Sequence, residues 1–277
     1  MLRSSDGGVS HAGSDEAAVR EQAAGSPAQL RTDLAAESGA IDRLTGLMSK
    51  NEYLRVMPEL FRQSRERGGD LSLAIVDIDN FKVANDTQGH QFGDRLLGGI
   101  AAMIRRSVRP GDVAVRFGGE EIVLVVRGDV HEAAGLAERI RKQCRDLTEA
   151  KQGKDSAEPV IPSGSPAPVG TVSVGVAQGL GRGVAEACDS EEQLLARADT
   201  MLYLAKNSGR NRVVVMVDEL RLPLSFNEYV QYRRYVARYP HADRGEVLGH
   251  FSDTSTELTY GGYSYEHYVR MQKQESA

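Results

Sequence analysis

The chain has 277 residues and a formal net charge of −5, with 40% of its residues hydrophobic. That is enough to bury a sizeable core in one large domain, or in one domain with extensions, and the charge offers no basic field for a nucleic-acid polymer. No apolar run approaches the roughly 20 residues that span a bilayer, the N-terminus lacks the apolar stretch of a secretory signal, and Cys144 and Cys188 stand in no metal or redox spacing, so a cytoplasmic protein is expected.

Residues 1–40 are rich in Ala, Ser and Gly and carry three Arg against six acidic residues, the composition of a flexible or partly helical arm. Strong periodicity begins at residue 41. Ser49 and Glu52 form a capping box ahead of Tyr53, Leu54, Met57, Leu60 and Phe61 on one helical face, with Pro58 a candidate kink. Residues 71–76 are a continuous apolar run long enough for a buried strand. A long polar loop is expected over 81–94, and residues 92–108 read as a helix from the spacing of Leu96, Leu97, Ile100, Met103 and Ile104. Residues 113–117 and 122–126 read as a hairpin turned at Gly118-Gly119. A helix over 130–147, a strand over 171–177, a helix capped by Ser190 and Gln193 and stopped at Ser208-Gly209, and a strand over 212–217 complete the set. The order α-β-α-β-β-α-β-α-β predicts a five-stranded central sheet with flanking helices, of the α/β or α+β kind. Residues 149–168, with Pro159, Pro162, Pro166 and Pro168, read as a long flexible loop. Residues 218–277 hold eight of the ten tyrosines and form a Tyr-rich extension. Within it, residues 227–239 place Tyr229, Tyr232, Val236 and Tyr239 on one helical face, which packs on its own domain or meets a partner.

Four segments carry chemistry. At Asp77-Ile78-Asp79 an apolar strand ends in two carboxylates that alternation puts on one face, an arrangement that suits a hard cation and equally suits a capped turn. In Gly118-Gly119-Glu120-Glu121 the glycines permit positive φ and close approach to a bulky anion, while adjacent carboxylates repel unless a cation relieves them; an exposed hairpin with a charged rim is the plainer alternative. The segment 81–94 contains Phe81, Lys82, Asn85, His90 and Asp94, and a carboxylate there can accept from both N1–H and the N2 amine of guanine, a pairing adenine lacks; loop solvation and helix capping by Asp94 would serve as well. Lys206 and Arg210 lie about one turn apart near a helix C-terminus, where cations either complement the dipole or hold phosphates.

Taken together and in this order, these segments resemble the GGDEF family of diguanylate cyclases over residues 41–217. The resemblance rests on Asp42-Arg43-Leu44-Thr45-Gly46-Leu47, Asp77-Ile78-Asp79, Phe81-Lys82, Asn85-Asp86, Gly89-His90, Gly93-Asp94, Arg116-Phe117-Gly118-Gly119-Glu120-Glu121, Ser173-Val174-Gly175-Val176-Ala177 and Ala198-Asp199 through Arg212. Ile122 stands where the family usually has Phe, and Ser49-Lys50 where Asn-Arg is usual. The resemblance implies a fold similar to nucleotidyl cyclase and polymerase palm domains, and synthesis of cyclic di-GMP from two GTP. It implies that Asp77, the Ile78 carbonyl and Glu120 hold Mg²⁺, with Mn²⁺ as the alternative, and that Glu121 assists there. Glu120, as the family's proposed base, and Lys82 would then be catalytic. Phe81, Asn85, His90, Asp94, Lys206, Arg210, Gly118 and Gly119 would contact the nucleotide. Arg109-Pro110-Gly111-Asp112 matches the family's Arg-x-x-Asp product-inhibition motif, and is otherwise a turn flanked by a weak ion pair. Two half-sites facing each other imply a homodimer, driven by one of the extensions or by a regulatory protein partner. The competing expectation is an inactive GGDEF domain that binds GTP or cyclic di-GMP as a receptor.

Overall fold

The computed structural model describes residues 39–152, 170–182, 184, 187–217 and 222–239. The N-terminal arm up to residue 38, residues 153–169 of the proline-rich segment and the tail from residue 240 lie outside the described residues.

The sheet grows outward from β2 (Leu71–Ile78), every residue of which is buried. On one side β2 pairs antiparallel with β4 (Glu121–Val126), which pairs antiparallel with β3 (Val113–Arg116), which pairs parallel with the two-residue β1 (Met48–Ser49). On the other side β2 pairs antiparallel with β5 (Val172–Leu180), then β6 (Val213–Val217) lies parallel to β5 and β7 (Leu222–Ser225) antiparallel to β6. The result is seven strands in the order β1-β3-β4-β2-β5-β6-β7. The five expected strands are all present. The two additional ones, β1 and β7, are too short to show an alternation.

Why β2 reads as an unbroken apolar run is visible in the core. Its residues alternate between two hydrophobic clusters, one on each face of the sheet. Ala74, Val76 and Ile78 pack toward α3 (His90–Ser107), α4 (Val130–Gln152) and α6 (Phe226–Arg238), through Leu97, Ile104, Ile140, Tyr229 and Tyr232. Leu71, Leu73 and Ile75 pack toward α1 (Lys50–Glu66) and α5 (Glu191–Asn207), through Met57, Phe61, Leu194 and Met201. A strand covered on both faces has no use for polar positions. Ile122, in place of the usual Phe, is fully buried in the first cluster, so it changes packing and leaves the surface alone.

Several local expectations change. Residues 81–94 are not a loop: Phe81–Gln88 form helix α2, and α3 begins at His90. Phe81 and Ala84 bury one side of this short helix while its polar residues face outward, and Gly89 at φ 83° breaks it from α3. A two-turn amphipathic helix with few apolar residues looks like a loop to a periodicity search. α1 runs from Lys50 to Glu66 with Pro58 inside it, and its Ser49 hydroxyl accepts from Glu52 N–H at 3.2 Å, while the Glu52 carboxylate goes to Arg55 instead of closing the capping box. α4 continues to Gln152, past the expected end at residue 147. The complete capping box belongs to α6, between Ser225 and Glu228. On α6, Tyr229 and Tyr232 enter the core, whereas Val236 and Tyr239 are exposed. No helix among the described residues is long and apolar enough to cross a membrane.

Candidate active site

The candidate residues gather at one end of the sheet, where β2 stops, the β3–β4 hairpin turns, β5 begins and α5 ends. Asp77 is the penultimate residue of β2, opposite Glu121 on β4 and Ser173 on β5. It is only 5% exposed. By alternation it points to the face covered by α5, and there Lys206 Nζ donates to its Oδ2 at 2.8 Å. Gly175 makes this meeting possible. A Cβ at that position would stand 2.1 Å from Leu202 N and 2.2 Å from Ala198 O, so α5 lies directly on the β5 backbone.

Burial pushes the Asp77 carboxyl up, Lys206 draws it back, and Glu120 and Glu121 push it up further, to about 6. Asp77 thus feels two further carboxylates beside its one ammonium partner. The donors at this end are carboxylate and carbonyl oxygens, the set a hard divalent cation prefers. Among the described residues, no group of three or more His, Cys, Asp or Glu side chains could by itself hold an ion. Asp77 with Glu120 and Glu121 nearby supplies oxygen donors of the kind such a cation takes, with fewer than three side chains gathered on one point.

Asp79 was expected to share this face, and it does not share the task. Asn80, at φ 58°, turns the chain out of the strand. Asp79 is buried and accepts from Thr171 Oγ1 at 2.8 Å, Ser173 Oγ at 2.7 Å and Asn211 N–H at 3.0 Å. Its oxygens are committed to tying β5 and the α5–β6 turn to the end of β2.

The hairpin tip is held from behind. Phe117 N–H and Gly118 N–H both donate to the Glu121 carbonyl, at 2.9 and 3.2 Å. Neither Gly118 nor Gly119 adopts positive φ, contrary to expectation. At Gly118 a Cβ would crowd the Glu121 side chain, 2.7 Å from its Oε2 and 3.3 Å from its Cβ, so the carboxylate would have to move aside, whereas Gly119 faces open room. Arg116 braces both carbonyls, Nε to Gly118 O at 3.3 Å and Nη2 to Gly119 O at 3.1 Å, while its Nη1 pairs with Asp42 at 3.0 Å. Asp42 also accepts from Thr45 N–H at 2.9 Å and Thr45 Oγ1 at 2.7 Å. Burial raises the Asp42 carboxyl, but the Thr45 and Arg116 contacts outweigh it and the net shift is downward. Arg116 and Asp42 were not singled out as functional residues. The signal that could have found them was the pairing of a motif acid with a motif arginine of opposite charge.

Helix α2 starts just beyond β2, which brings the 81–94 residues to the same end. Lys82 is exposed, Phe81 is buried, and Asn85 is half-buried. The Asn85 carboxamide lies against Gly93, where a Cβ would stand 1.9 Å from Asn85 Oδ1. His90 and Asp94 are exposed and four residues apart on the first turns of α3, hence on one face. Asn85, His90 and Asp94 thus cluster at the α2–α3 junction. Arg210, half-buried, follows α5 in a left-handed turn. At the opposite margin, Arg109 Nε meets Asp112 at 3.2 Å across the Pro110-Gly111 turn, and its Nη1 meets Glu132 at 2.6 Å. Asp112 also accepts from Arg127 N–H at 3.1 Å. A separate cavity of about 560 Å³, lined in part by Arg65, Leu180 and Arg182, opens at the far end of the sheet. The length of β5 separates it from the carboxylates, on the order of 27 Å at the usual rise per residue.

Residues 39–212 match the family model described as diguanylate cyclase, GGDEF domain. The chain belongs to the GGDEF family. Diguanylate cyclase DgcS of Shewanella oneidensis is 35% identical over 170 residues, 61% of this chain and 50% of DgcS, so the chain spans half the length of that curated relative. Among solved structures, the coiled coil and GGDEF domain of DgcB from Caulobacter crescentus in complex with c-di-GMP is 29% identical, with a TM-score of 0.55 over 73% of this chain and 95% of that one. Diguanylate cyclase SiaD of Pseudomonas aeruginosa, in complex with its activator SiaC, is 32% identical, with a TM-score of 0.52 over 73% of this chain and 70% of that one. The GGDEF fold here is a mixed sheet with helices on both faces, and the family match ends at Arg212, just before β6, β7 and α6.

Proposed function

We propose that this GGDEF domain is a diguanylate cyclase that condenses two GTP into cyclic di-GMP and two pyrophosphates. The observation that carries the reading is the meeting of strand end and hairpin at one place, where Glu120 and Glu121 lie close enough to Asp77 to push its carboxyl up while Lys206 pairs with it. Asp77, the Ile78 carbonyl and Glu120 would hold a divalent cation, Mg²⁺ or Mn²⁺, which would supply Lewis acidity to the phosphate and lower the pKa of the attacking hydroxyl. Glu121 would assist at the same site, and Glu120 would be a poor base with its oxygens so engaged.

The chain's own residues position the reactants. Lys82, Lys206 and Arg210 supply positive charge for the triphosphate and the charge developing on it. Asp94 accepts from guanine N1–H and N2, with Asn85, His90 and Phe81 lining the base and ribose. Gly118 and Gly119 keep the hairpin tip free of side chains beside the α-phosphate. In each condensation the 3′-oxygen of one nucleotide forms a bond to the α-phosphorus of the other. Pyrophosphate departs with the bonding pair, and the hydroxyl proton passes to solvent. Two such bonds call for two half-sites face to face, hence a homodimer. The relatives' complexes with c-di-GMP and with an activator support two further parts of the reading, product binding and control by a protein partner, and Arg109 and Asp112 are the residues proposed to take the product and inhibit the reaction.

The test is direct. Purified protein with GTP and Mg²⁺ should release pyrophosphate and yield a product with the mass of cyclic di-GMP. Binding of GTP without pyrophosphate release would instead identify a receptor.

A further inference from the structure

The α5–β6 turn contains two consecutive non-glycine residues in the left-handed region, Arg210 at φ 63° and Asn211 at φ 44°. Each is an unfavourable conformation that surrounding contacts must hold in place. The contacts come from two directions. From the sheet, Asp79 Oδ2 accepts the Asn211 N–H at 3.0 Å. From α4, Arg141 Nη1 donates to Asn211 Oδ1 at 2.8 Å and to Asn211 O at 3.2 Å. Arg141 is in turn fixed by a two-pronged pairing with Glu138, Nε to Oε2 at 2.7 Å and Nη2 to Oε1 at 2.9 Å, in which the side chains are only 12% and 10% exposed. The Arg212 guanidinium adds a bond from its Nε to the Arg210 carbonyl at 3.2 Å.

A turn between a helix and a strand does not need this apparatus. Gly209, at φ 107°, already supplies one left-handed residue to end α5. What the extra strain achieves is to fix where the next side chain, Arg210, leaves the backbone, at the end of the sheet that carries Asp77. We infer that Arg141 and Asn211, anchored on Glu138 and Asp79, are positioning residues that hold Arg210 in place to grip the triphosphate of the substrate. This inference rests on the reading of Arg210 as a phosphate-binding residue. A guanidinium that must meet a phosphate loses much of its effect when displaced by about 1 Å. Arg141, on α4, touches no reactant and acts only through the turn.

The experiment is a double-mutant cycle in the full chain, reading KM for GTP and kcat from initial rates of pyrophosphate release. Arg210→Ala and Arg141→Ala should each raise KM about tenfold, and Arg141→Ala should add less than twofold once Arg210 is already Ala. Arg141→Lys should recover little, because an ammonium cannot hold Glu138 and reach Asn211 in the same fork geometry. If Arg141→Ala does not fold, Arg141→Lys takes its place in the cycle. Asn211→Gly, which keeps the left-handed turn and deletes only the side-chain acceptor, should raise KM about threefold. If Arg210→Ala leaves KM unchanged, the phosphate role is wrong. If Arg210→Ala raises KM but the Arg141 effect is equally large in both backgrounds, Arg141 serves stability alone and the positioning inference is overturned.

Discussion

Removing Arg116 should damage both the hairpin tip and the reaction. Its guanidinium meets three partners, Asp42 in an ion pair at 3.0 Å and the carbonyls of Gly118 and Gly119 through hydrogen bonds. Hydrogen bonds to a charged group contribute about 1.5–3 kcal/mol each at most, and partial exposure reduces that, so a total of roughly 2 kcal/mol is expected for Arg116→Ala. In a domain of this size that corresponds to about 4–8 °C in Tm. The effect on turnover should be larger than the loss of folded protein explains. The carbonyls that Arg116 braces flank Glu120, and loosening them lets the carboxylate wander, for which a 10- to 100-fold loss in kcat/KM is the expected scale. Arg116→Lys should not restore it, since a lysine cannot span both carbonyls and Asp42. The two losses separate in one set of measurements, urea unfolding and initial rates on the folded fraction. The pH dependence adds a check. The folded Asp42 carboxyl sits below its reference value of 3.8, so the contribution of the pair is present above about pH 4 and fades as pH falls through the lower folded value. Wild type and Arg116→Ala should therefore converge in stability as pH falls below the ordinary carboxylate range. A variant within twofold of wild-type kcat/KM, or a stability gap that widens in acid, would refute this account.

Four further outcomes are expected. Asp77→Ala or Glu120→Gln should reduce pyrophosphate release to background with the far-UV circular dichroism unchanged, and near-normal rates in either variant would mean the site is misassigned. Asp94→Ser should narrow the preference for GTP over ATP in a competition assay, since a site that hydrogen-bonds a group rejects analogues without it; unchanged selectivity removes Asp94 from the base site. Arg109→Ala should relieve inhibition by micromolar cyclic di-GMP at an almost unchanged initial rate, whereas equal inhibition of both proteins would leave Arg109-x-x-Asp112 as a braced turn. Tyr229→Ala, which empties a fully buried ring position on α6, should cost about 3 kcal/mol or more in urea unfolding; a loss below about 1 kcal/mol would show that α6 is only loosely attached.

The long periodic elements were legible in the sequence because burial on both sheet faces writes itself directly into composition. β2, α3, α5 and the hairpin strands appear where their apolar patterns put them. The carboxylates Asp77, Glu120 and Glu121 were legible for the same reason, as acids at the ends of apolar strands. The failures share a cause as well. Helix α2 buries only Phe81 and Ala84, and β1 is held by pairing to β3, so neither leaves a periodic trace. The separate surroundings of Asp77 and Asp79 depend on Thr171, Ser173 and Asn211, which are far away in sequence and reach Asp79 only through tertiary structure. Positive φ at Gly118 and Gly119 was not borne out, because a glycine with ordinary φ is spelled the same way as one with positive φ. Asn211 and Arg141 are 70 residues apart and meet only through tertiary structure.

The two outermost strands bear on how copies of this chain can associate. A sheet rim with unpaired peptide groups invites a second copy to dock by strand addition. Here one rim is β1, two residues long, and the other is β7, four residues long with Pro223 in it, paired to Met216. A proline has no N–H to offer a neighbour, and a two-residue rim offers too few bonds to register one. Neither border is therefore a good template for continuing the sheet into a second molecule. Among the described residues, helices and the loops at the carboxylate end are the surfaces left for the face-to-face pairing proposed above, and pairing through them would leave each copy's sheet intact.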